Sequence, residues 1–285
     1  MSTQKSVAIT GASAGLGAAT AIGLAQKGYK VFGTVFNEAE LEKTNANTQG
    51  LDLHFFPCDV TKPEQVKAWA ASIAAVQNGA GIDILINNAG VLTPGPIELL
   101  DLDEIKYEFE VNVFGSLSVI NELLPALRAA KGRILQIGSV SGILAVPYNG
   151  VSSASKATME AFADVFRTEL RPFGVDFIMV APGNMLTDGP AKTIAMVNQL
   201  IAGMSPEQEA LYGKEFGSFA VGFKKMQSEG MALEAAAARL VEIAEQTPAP
   251  IRAGIGDDAE QVRALIKDKT DEELDAMRRQ MFNLD

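Results

Sequence analysis

The feature that most constrains the fold of this chain is a regular alternation of short apolar runs with helical segments over its first two-thirds. The runs are continuous, whereas a strand with one solvated face alternates apolar and polar residues. Continuous runs separated by helices predict a parallel sheet that is covered by helices on both faces. The predicted strands are Ser6–Thr10, Lys30–Phe36, Leu53–Phe56, Ile82–Ile86, Arg133–Ile137 and Val175–Val180.

Capping residues mark several helix starts. The capping-box spacing, in which Ser or Thr is followed three residues later by Glu or Gln, begins helices at Thr61, Ser205 and Thr270. The other predicted helices are Leu16–Gly28, a long helix that opens at Asp101–Glu104 and runs to about residue 129, Ser152–Arg171 and Leu233–Gln246.

Charge and the scarcity of two residue types exclude several functions. The 285 residues include 24 Lys and Arg against 35 Asp and Glu, a net charge of −11, so we expect no nucleic-acid partner. Cys58 is the single cysteine and His54 the single histidine, so we expect no disulfide framework and no metal site. The sequence has no apolar run of about 18 residues and no signal-peptide pattern, which predicts a cytoplasmic protein without a membrane span.

The turn after the first predicted strand points to a dinucleotide. Gly11, Gly15 and Gly17 stand in the order Gly-x-x-x-Gly-x-Gly between a strand and a helix. Such glycines let the backbone approach a pyrophosphate, and the helix N-terminus presents free amides and partial positive charge to it. For this motif alone, the alternative is a tight turn without a ligand.

Further motifs follow in order: Asp59-Val60, Asn87-Asn88-Ala89-Gly90, and Pro182-Gly183 with Thr187. With these motifs the chain resembles the short-chain dehydrogenase/reductase family, strongly over about residues 5 to 190 and loosely to about 267. The resemblance implies a single Rossmann-like domain over residues 1–285, an α/β doubly wound parallel sheet of about seven strands with NAD or NADP at the carboxyl ends of its strands. The cofactor-binding residues that it implies are Gly11, Ser13, Gly15, Leu16, Gly17, Phe36, Asn37, Asp59, Val60, Asn88, Ala89, Gly90, Lys156, Pro182, Gly183, Met185 and Thr187.

The residue that reads the ribose 2′ position is expected at the end of the second strand. A carboxylate there would bind the hydroxyls of NAD, and an arginine would pair with the 2′-phosphate of NADP. Phe36 and Asn37 stand there instead, with Ser13 in the glycine turn. Ser13 and Asn37 can hydrogen-bond either cofactor, so both NAD and NADP stay open.

The family's catalytic set is Asn, Ser, Tyr and Lys, and one member is replaced in this chain. Asn112, Ser139 and Lys156 match the asparagine, serine and lysine. The resemblance implies that the serine hydrogen-bonds the substrate oxygen, the lysine holds the nicotinamide ribose, and the asparagine supports the proton path. The tyrosine position, four residues before Lys156, is Ser152. An aliphatic hydroxyl is a far poorer proton donor near pH 7 than a phenol, and general acid catalysis contributes about 10²–10⁴-fold.

Three interpretations of Ser152 compete. In the first, an introduced substitution weakens an otherwise competent enzyme. In the second, the natural enzyme uses Ser152 through a bound water, or uses Tyr148, although packing against the pocket wall is the plainer role for Tyr148. In the third, the protein is a dinucleotide-binding regulatory protein without dehydrogenase turnover.

The sequence predicts that residues 185–232 form a helical substrate lid. This stretch follows the nicotinamide-binding loop and is rich in methionine and phenylalanine, which suit a bulky apolar ligand. The sequence thus predicts an NAD(P)-dependent oxidoreductase that interconverts a secondary alcohol and a ketone on a bulky, largely apolar substrate. By resemblance we also expect a homodimer or homotetramer through the helices at about 103–129 and 152–171.

Overall fold

The computed structural model describes residues 4–48, 50–187, 189–282 and 284, and its central element is a parallel sheet. The strands are β1 (Ser6–Ile9), β2 (Lys30–Val35), β3 (Leu53–Pro57), β4 (Ile84–Asn87), β5 (Arg133–Ile137), β6 (Asp176–Pro182), β7 (Met185–Leu186), β8 (Met231–Ala232) and β9 (Arg252–Ile255). Seven of them form one sheet in the order β3-β2-β1-β4-β5-β6-β9. The strand order reverses between β1 and β4, and ligands of open α/β sheets bind at such a switch point.

Helices lie on both sides of this sheet, which makes the fold Rossmann-like. They are α1 (Gly15–Gln26), α2 (Glu38–Asn47), α3 (Pro63–Val76), α4 (Leu102–Phe109), α5 (Ser116–Ala130), α6 (Gly150–Leu170), α7 (Gly189–Gly203), α8 (Pro206–Gln208), α9 (Lys214–Ser228), α10 (Leu233–Glu245), α11 (Asp257–Ile266) and α12 (Asp271–Phe282). A π-helical segment, Glu110–Gly115, joins α4 to α5 without a break, and a second, Glu209–Gly213, joins α8 to α9.

Two apolar cores, one on each face of the sheet, explain the continuous apolar strands. Val7 and Ile9 of β1 pack with Leu24 of α1 and Leu240 of α10. Ala8, between them, faces the other core, which also contains Trp69 of α3, Leu123 of α5 and Met159 of α6. Because successive side chains of a strand point to opposite faces, covering both faces requires apolar residues at every position.

The predicted lid stretch, described apart from residue 188, is inserted between β6 and β9. Its two ends are held together because Met185 pairs with Met231 and Leu186 with Ala232 in the small β7–β8 sheet. Between these ends, α7 and α9 enclose a third apolar cluster around Val197, Phe216 and Phe219. The stretch is therefore a helical unit with a small core of its own.

Most predicted helix starts are confirmed, and one capping box is wrong. Ser205 caps α8 with the reciprocal bonds of a capping box, and the Thr270–Glu273 pair makes the same bonds at α12. Thr61 does not cap α3, because its backbone N and hydroxyl both donate to Asp59 Oδ1, at 2.9 and 2.8 Å. The N-cap of α3 is Lys62, which makes no side-chain cap bond.

The sequence analysis missed α2, α11 and β9 as individual elements, although it predicted a sheet of about seven strands. β9 is short and contains arginine and glycine, so its apolar signal is weak. Within the described ranges, no helix combines the length and apolarity needed to cross a membrane.

Candidate active site

Hydrogen bonds from the β4 loop hold the glycine turn that leads into α1. Asn88 Nδ2 donates to the carbonyl oxygens of Thr10 and Gly11, at 2.9 and 3.1 Å, and Ala89 N donates to Thr10 Oγ1 at 2.9 Å. A Cβ on Gly17 would lie 2.2 Å from Gly11 O, so the close approach of helix and turn requires glycine there. Gly11 and Gly15 have φ of +66° and +55°, which favour glycine for a different, conformational reason.

This turn fits a dinucleotide pyrophosphate. The N-cap of α1 is Ala14, which has no side chain able to bond the first amides of the helix. A Cβ on Gly15 would meet no atom within 4 Å, so open space lies above the turn. Free helix amides beside open space form an anion site. Ser13 lies in the same turn. Leu16, which was also predicted to bind the cofactor, lines the large cavity described below.

The sequence analysis missed a carboxylate next to the end of β2, that of Glu40 on α2. Glu40 Oε2 accepts a hydrogen bond from Phe36 N at 2.9 Å, while Asn37 Oδ1 caps α2 by accepting from Glu40 N at 3.0 Å. The Phe36 side chain is 54% exposed. The spacing Asn37-x-x-Glu40 is that of a capping box, which is the signal that would have revealed both α2 and this carboxylate.

Asp59 and Val60, which the resemblance assigns to the cofactor site, have different surroundings in the structure. Asp59 Oδ1 holds Thr61, and Asp59 N donates to Gln65 Oε1 at 2.8 Å, so this carboxylate organises the start of α3. Val60 is buried, and its Cγ2 would lie 2.8 Å from a Cβ on Gly115. Neither residue lines the large cavity.

Ser139, Ser152 and Lys156 meet at one cavity of about 1170 Å³. Ser139 follows β5 and its Oγ accepts from Ser141 N at 3.2 Å, while Ser152 and Lys156 lie one turn apart on α6. The remainder of the cavity wall is largely apolar. Its apolar residues include Leu92, Leu144, Val146, Met185, Met196, Phe223, Met226, Val262 and Met281.

Lys156 reaches this cavity from a deep position. Its Nζ donates to Ile137 O at 3.1 Å, and a Cβ on Gly90 would lie 3.3 Å from Nζ and 3.1 Å from Asn112 Oδ1. Burial lowers the pKa of Lys156 to about 8, against the opposing charge of Glu108. Glycine at position 90 thus leaves room where the lysine and the asparagine converge.

Asn112 stands behind the cavity and belongs to the π-helical segment. Its Oδ1 accepts from Val91 N and its Nδ2 donates to Val91 O, both at 2.9 Å, so it fixes the loop after β4. Asn112 Nδ2 also lies 3.2 Å from Glu108 Oε1 and 3.0 Å from Ser155 Oγ. Glu108 and Ser155 are fully buried, and the sequence analysis missed both.

Tyr148 is turned away from the cavity. Its ring centroid lies 5.3 Å from that of Phe216 and 5.6 Å from that of Phe219, inside the lid cluster. Burial and the charge of Glu215 raise the pKa of Tyr148, which makes it a weaker acid at neutral pH. Its neighbours Val146 and Asn149 line the cavity instead, so the geometry favours a packing role for Tyr148.

The loop after β6 forms the opposite wall, with α11 behind it. Pro182, Gly183 and Met185 line the cavity, and the carboxylate of Asp258 accepts from Asn184 N at 2.8 Å. Thr187 Oγ1 accepts from Gly189 N at 3.3 Å, at the start of α7. The C-terminal helix α12 contributes Met281, a cavity residue that the sequence analysis did not assign to the site.

Comparisons with known proteins agree with this arrangement. A family model described as short chain dehydrogenase matches residues 5–198. The chain is 34% identical over 217 residues to a 3-amino-tetrahydro-pyrrolizinone reductase of Xenorhabdus hominickii, covering 76% of this chain and 74% of that protein. It is 32% identical over 244 residues to an NADPH-dependent 3-dehydrocapnine reductase of Ornithobacterium rhinotracheale, covering 82% of each.

A solved structure shows a similar fold over nearly the whole length. It is a short chain dehydrogenase from Burkholderia cenocepacia J2315 in complex with NADP, with a TM-score of 0.73 and 25% identity, covering 96% of this chain and 97% of that one.

Proposed function

Because the chain belongs to the short-chain dehydrogenase family, it is an oxidoreductase with NAD or NADP as cofactor, and we propose that it interconverts a secondary alcohol and a ketone. The observation that carries this proposal is the convergence of Ser139, Ser152 and Lys156 on one large cavity with a mainly apolar wall. The wall supports a bulky, largely apolar substrate, because apolar surface binds apolar surface and excludes water.

Each polar residue of the site has a role in this proposal. The cofactor supplies or accepts the hydride when it is bound. The glycine turn binds the pyrophosphate. Lys156 lines the cavity, and its ammonium donates hydrogen bonds to the ribose hydroxyls. Ser139 hydrogen-bonds the substrate oxygen, and Asn112 fixes the loop between Asn88 and Val91.

Ser152 weakens the proton transfer in this scheme. Ser152 lines the cavity one turn before Lys156, but its side chain is shorter than that of tyrosine. Its hydroxyl has a pKa several units above that of a phenol, so it is a much weaker acid. Proton transfer then depends on water or on Lys156. The second candidate function, a dinucleotide-binding regulatory protein without turnover, is favoured by this residue alone.

A homodimer or homotetramer in the cytoplasm completes the proposal, with the chain as one domain. Leu102, Phe114 and Val165, on the segments running from α4 to α6, expose about half or more of their surface, at 62%, 55% and 53%. Apolar side chains exposed on neighbouring helices support a self-complementary interface. Light scattering of the purified chain measures the oligomeric state.

The first experiment tests dinucleotide binding through Gly15. We expect saturable binding of NADH or NADPH by fluorescence titration, and loss of binding in Gly15→Asp, which adds a negative charge at the pyrophosphate. Gly28→Asp is the matched control. Gly28 lies just beyond the other end of α1, also has positive φ, and also has no atom within 4 Å of an added Cβ.

The second experiment restores the missing phenol. We expect Ser152→Tyr to raise turnover of a ketone panel by about 10²-fold or more, in kcat rather than KM. Ser152→Phe is the matched control, because it adds the ring without the hydroxyl. The pH profile of Ser152→Tyr should gain a limb near neutrality, since the neighbouring ammonium lowers the pKa of the phenol.

The outcomes separate the two candidate functions. Loss of activity in Ser152→Tyr, together with brisk turnover by the parent, would contradict the weakened-enzyme proposal. Binding of a dinucleotide without turnover by either form would favour the regulatory protein. Failure of the parent to bind either dinucleotide at millimolar concentration would contradict both.

A further inference from the structure

Lys156 needs a negative partner that residue 152 does not supply. Removing an ammonium from water is costly, and the cost is met by an opposite charge or by loss of the proton. Apart from Ile137 O, the described chain places no hydrogen-bond acceptor on Lys156 Nζ. Ser152, one turn before Lys156 on α6, offers no acidic group.

Glu108 is the carboxylate whose charge acts on Lys156. It is fully buried on the last turn of α4, and α4 packs against α6, which carries Lys156. Asn112 connects the two groups: its Nδ2 lies 3.2 Å from Glu108 Oε1, and a Cβ on Gly90 would lie 3.1 Å from its Oδ1 and 3.3 Å from Lys156 Nζ. The charge of Glu108 opposes the lowering of the Lys156 pKa by burial, and the charge of Lys156 opposes the raising of the Glu108 pKa. Asp103, Glu104 and Tyr107 on the same helix also line the cavity, as do Lys192 of α7 and Asp258 of α11.

Hydrogen bonds tie Glu108 to the site from two sides. Its Oε1 lies 3.2 Å from Asn112 Nδ2 and 3.3 Å from Ser155 Oγ. Ser155 Oγ also lies 3.0 Å from the backbone oxygen of Ser152, so the carboxylate is one hydroxyl away from residue 152. Asn112 links it in turn to the loop at Val91.

On the basis of the proposed function, we propose that Glu108 is a positioning residue for Lys156. Its buried carboxylate favours the protonated form of Lys156, the ammonium that the proposed function needs at the ribose.

A purely structural role would not need a carboxylate. A glutamine amide oxygen would accept equally well from Asn112 and Ser155, without the cost of burying a charge. Burial raises the pKa of Glu108, whereas bonds from Thr93 and Ser155 and the charge of Lys156 oppose that rise. The property that glutamine lacks is the negative charge.

The test compares Glu108→Gln with Glu110→Gln. Glu110 is exposed two residues along the same helical segment, so the control removes the same charge away from Lys156. The first readout is the NMR titration of the Lys156 Cε signal in protein labelled with ¹³C-lysine, identified by its absence in Lys156→Met. The second is the pH dependence of NADH or NADPH affinity.

In the parent and in Glu110→Gln, Lys156 is expected to titrate near pH 8, where its pKa lies. In Glu108→Gln the titration should move down by about one pH unit or more, because a buried opposite charge has been removed. Cofactor affinity should weaken as the pH rises through the pKa of Lys156. In Glu108→Gln this loss of affinity should occur at a pH that is lower by the same amount. An unchanged Lys156 titration in folded Glu108→Gln overturns the inference.

A reciprocal measurement covers the case in which Glu108→Gln does not fold. In Lys156→Met the carboxyl carbon of Glu108 should titrate at higher pH than in the parent, because coupling between two groups is mutual. An unchanged Glu108 titration there also overturns the inference. The NMR titrations need no cofactor, so their result stands apart from the proposed function, whose own failure would appear as a parent that binds no dinucleotide.

Discussion

At the scale of single residues, Glu40 of α2 places a carboxylate next to the end of β2. Glu40 Oε2 accepts from Phe36 N, at the position where the fold presents the ribose 2′ group. The charge of a 2′-phosphate would meet the charge of Glu40 there, whereas a ribose hydroxyl could donate to it. We therefore expect this carboxylate to favour a ribose hydroxyl over a 2′-phosphate.

We predict that Glu40→Gln raises NADPH affinity relative to NADH by about 3- to 10-fold, because a like charge near the 2′-phosphate is removed. The gain should shrink at high salt, since the site is exposed. Fluorescence titrations with both dinucleotides at two ionic strengths measure it.

Glu42→Gln is the control for this charge change. Glu42 is two residues further on, about 200° around α2, and is exposed. An equal affinity ratio in Glu40→Gln and the parent would show that the carboxylate does not face the 2′ group.

At the scale of elements, the predicted lid stretch has a cavity-lining face and a small core of its own. Met196, Phe223 and Met226 line the cavity, whereas Phe216 and Phe219 are buried between α7 and α9. The pairing of β7 with β8 holds the two ends of this stretch together.

We predict that ligand slows backbone hydrogen exchange over α7 and α9. We expect local unfolding of these two helices to require less free energy than local unfolding of most other elements. The measurement compares Ser152→Tyr alone, with dinucleotide, and with dinucleotide plus a ketone that it turns over. The core helix α10, which packs against α1, serves as the internal control. Equal exchange over α7 and α9 in all three states would mean that this stretch is ordinary core.

At the scale of the whole molecule, Arg252 fastens the edge strand β9 to α6. Its Nε donates to Glu160 Oε2 at 2.9 Å and its Nη2 donates to Asp164 Oδ1 at 2.8 Å. Glu160 and Asp164 are four residues apart and share one face of α6. Since β9 follows the lid in the chain, these bonds hold the strand that completes the sheet after the insertion.

We predict that Arg252→Ala lowers the free energy of unfolding by about 1–2 kcal/mol, because a partly buried carboxylate loses its charged partner. Urea denaturation monitored by circular dichroism measures it. Arg239→Ala, which removes an exposed pair with Glu242, should cost at most about 0.5 kcal/mol. Equal costs would show that the β9–α6 link contributes no more than a surface pair.

The effect of Arg252→Ala should depend on pH. Burial raises the pKa of Asp164, but the bonds and charges of Arg252 and Arg167 outweigh it and hold this pKa below its ordinary value of 3.8. A carboxyl with a lowered folded pKa stabilises the fold above its unfolded pKa and stops doing so as the pH falls through the folded value. The difference in free energy of unfolding between Arg252→Ala and the parent should therefore become smaller below about pH 4.

The sequence alone predicted the sheet, the glycine turn and most helices. These depend on local patterns, since a strand buried on both faces needs an apolar residue at every position and a tight turn needs glycine. The spacing of Asn112, Ser139, Ser152 and Lys156 likewise predicted a site whose roles still await the experiments above. The capping boxes at Ser205 and Thr270 were local as well, and both are present.

Tertiary structure decided what a given side chain faces. Tyr148 packs into the apolar cluster of α7 and α9, Glu108 is fully buried at the end of α4, and Met281 lines a cavity from the far end of the chain. None of these placements follows from periodicity, because the partner of each side chain comes from an element whose position depends on the packing of the whole sheet. Burial and charge of a site residue are properties of its neighbours in space, and sequence spacing describes only its neighbours along the chain.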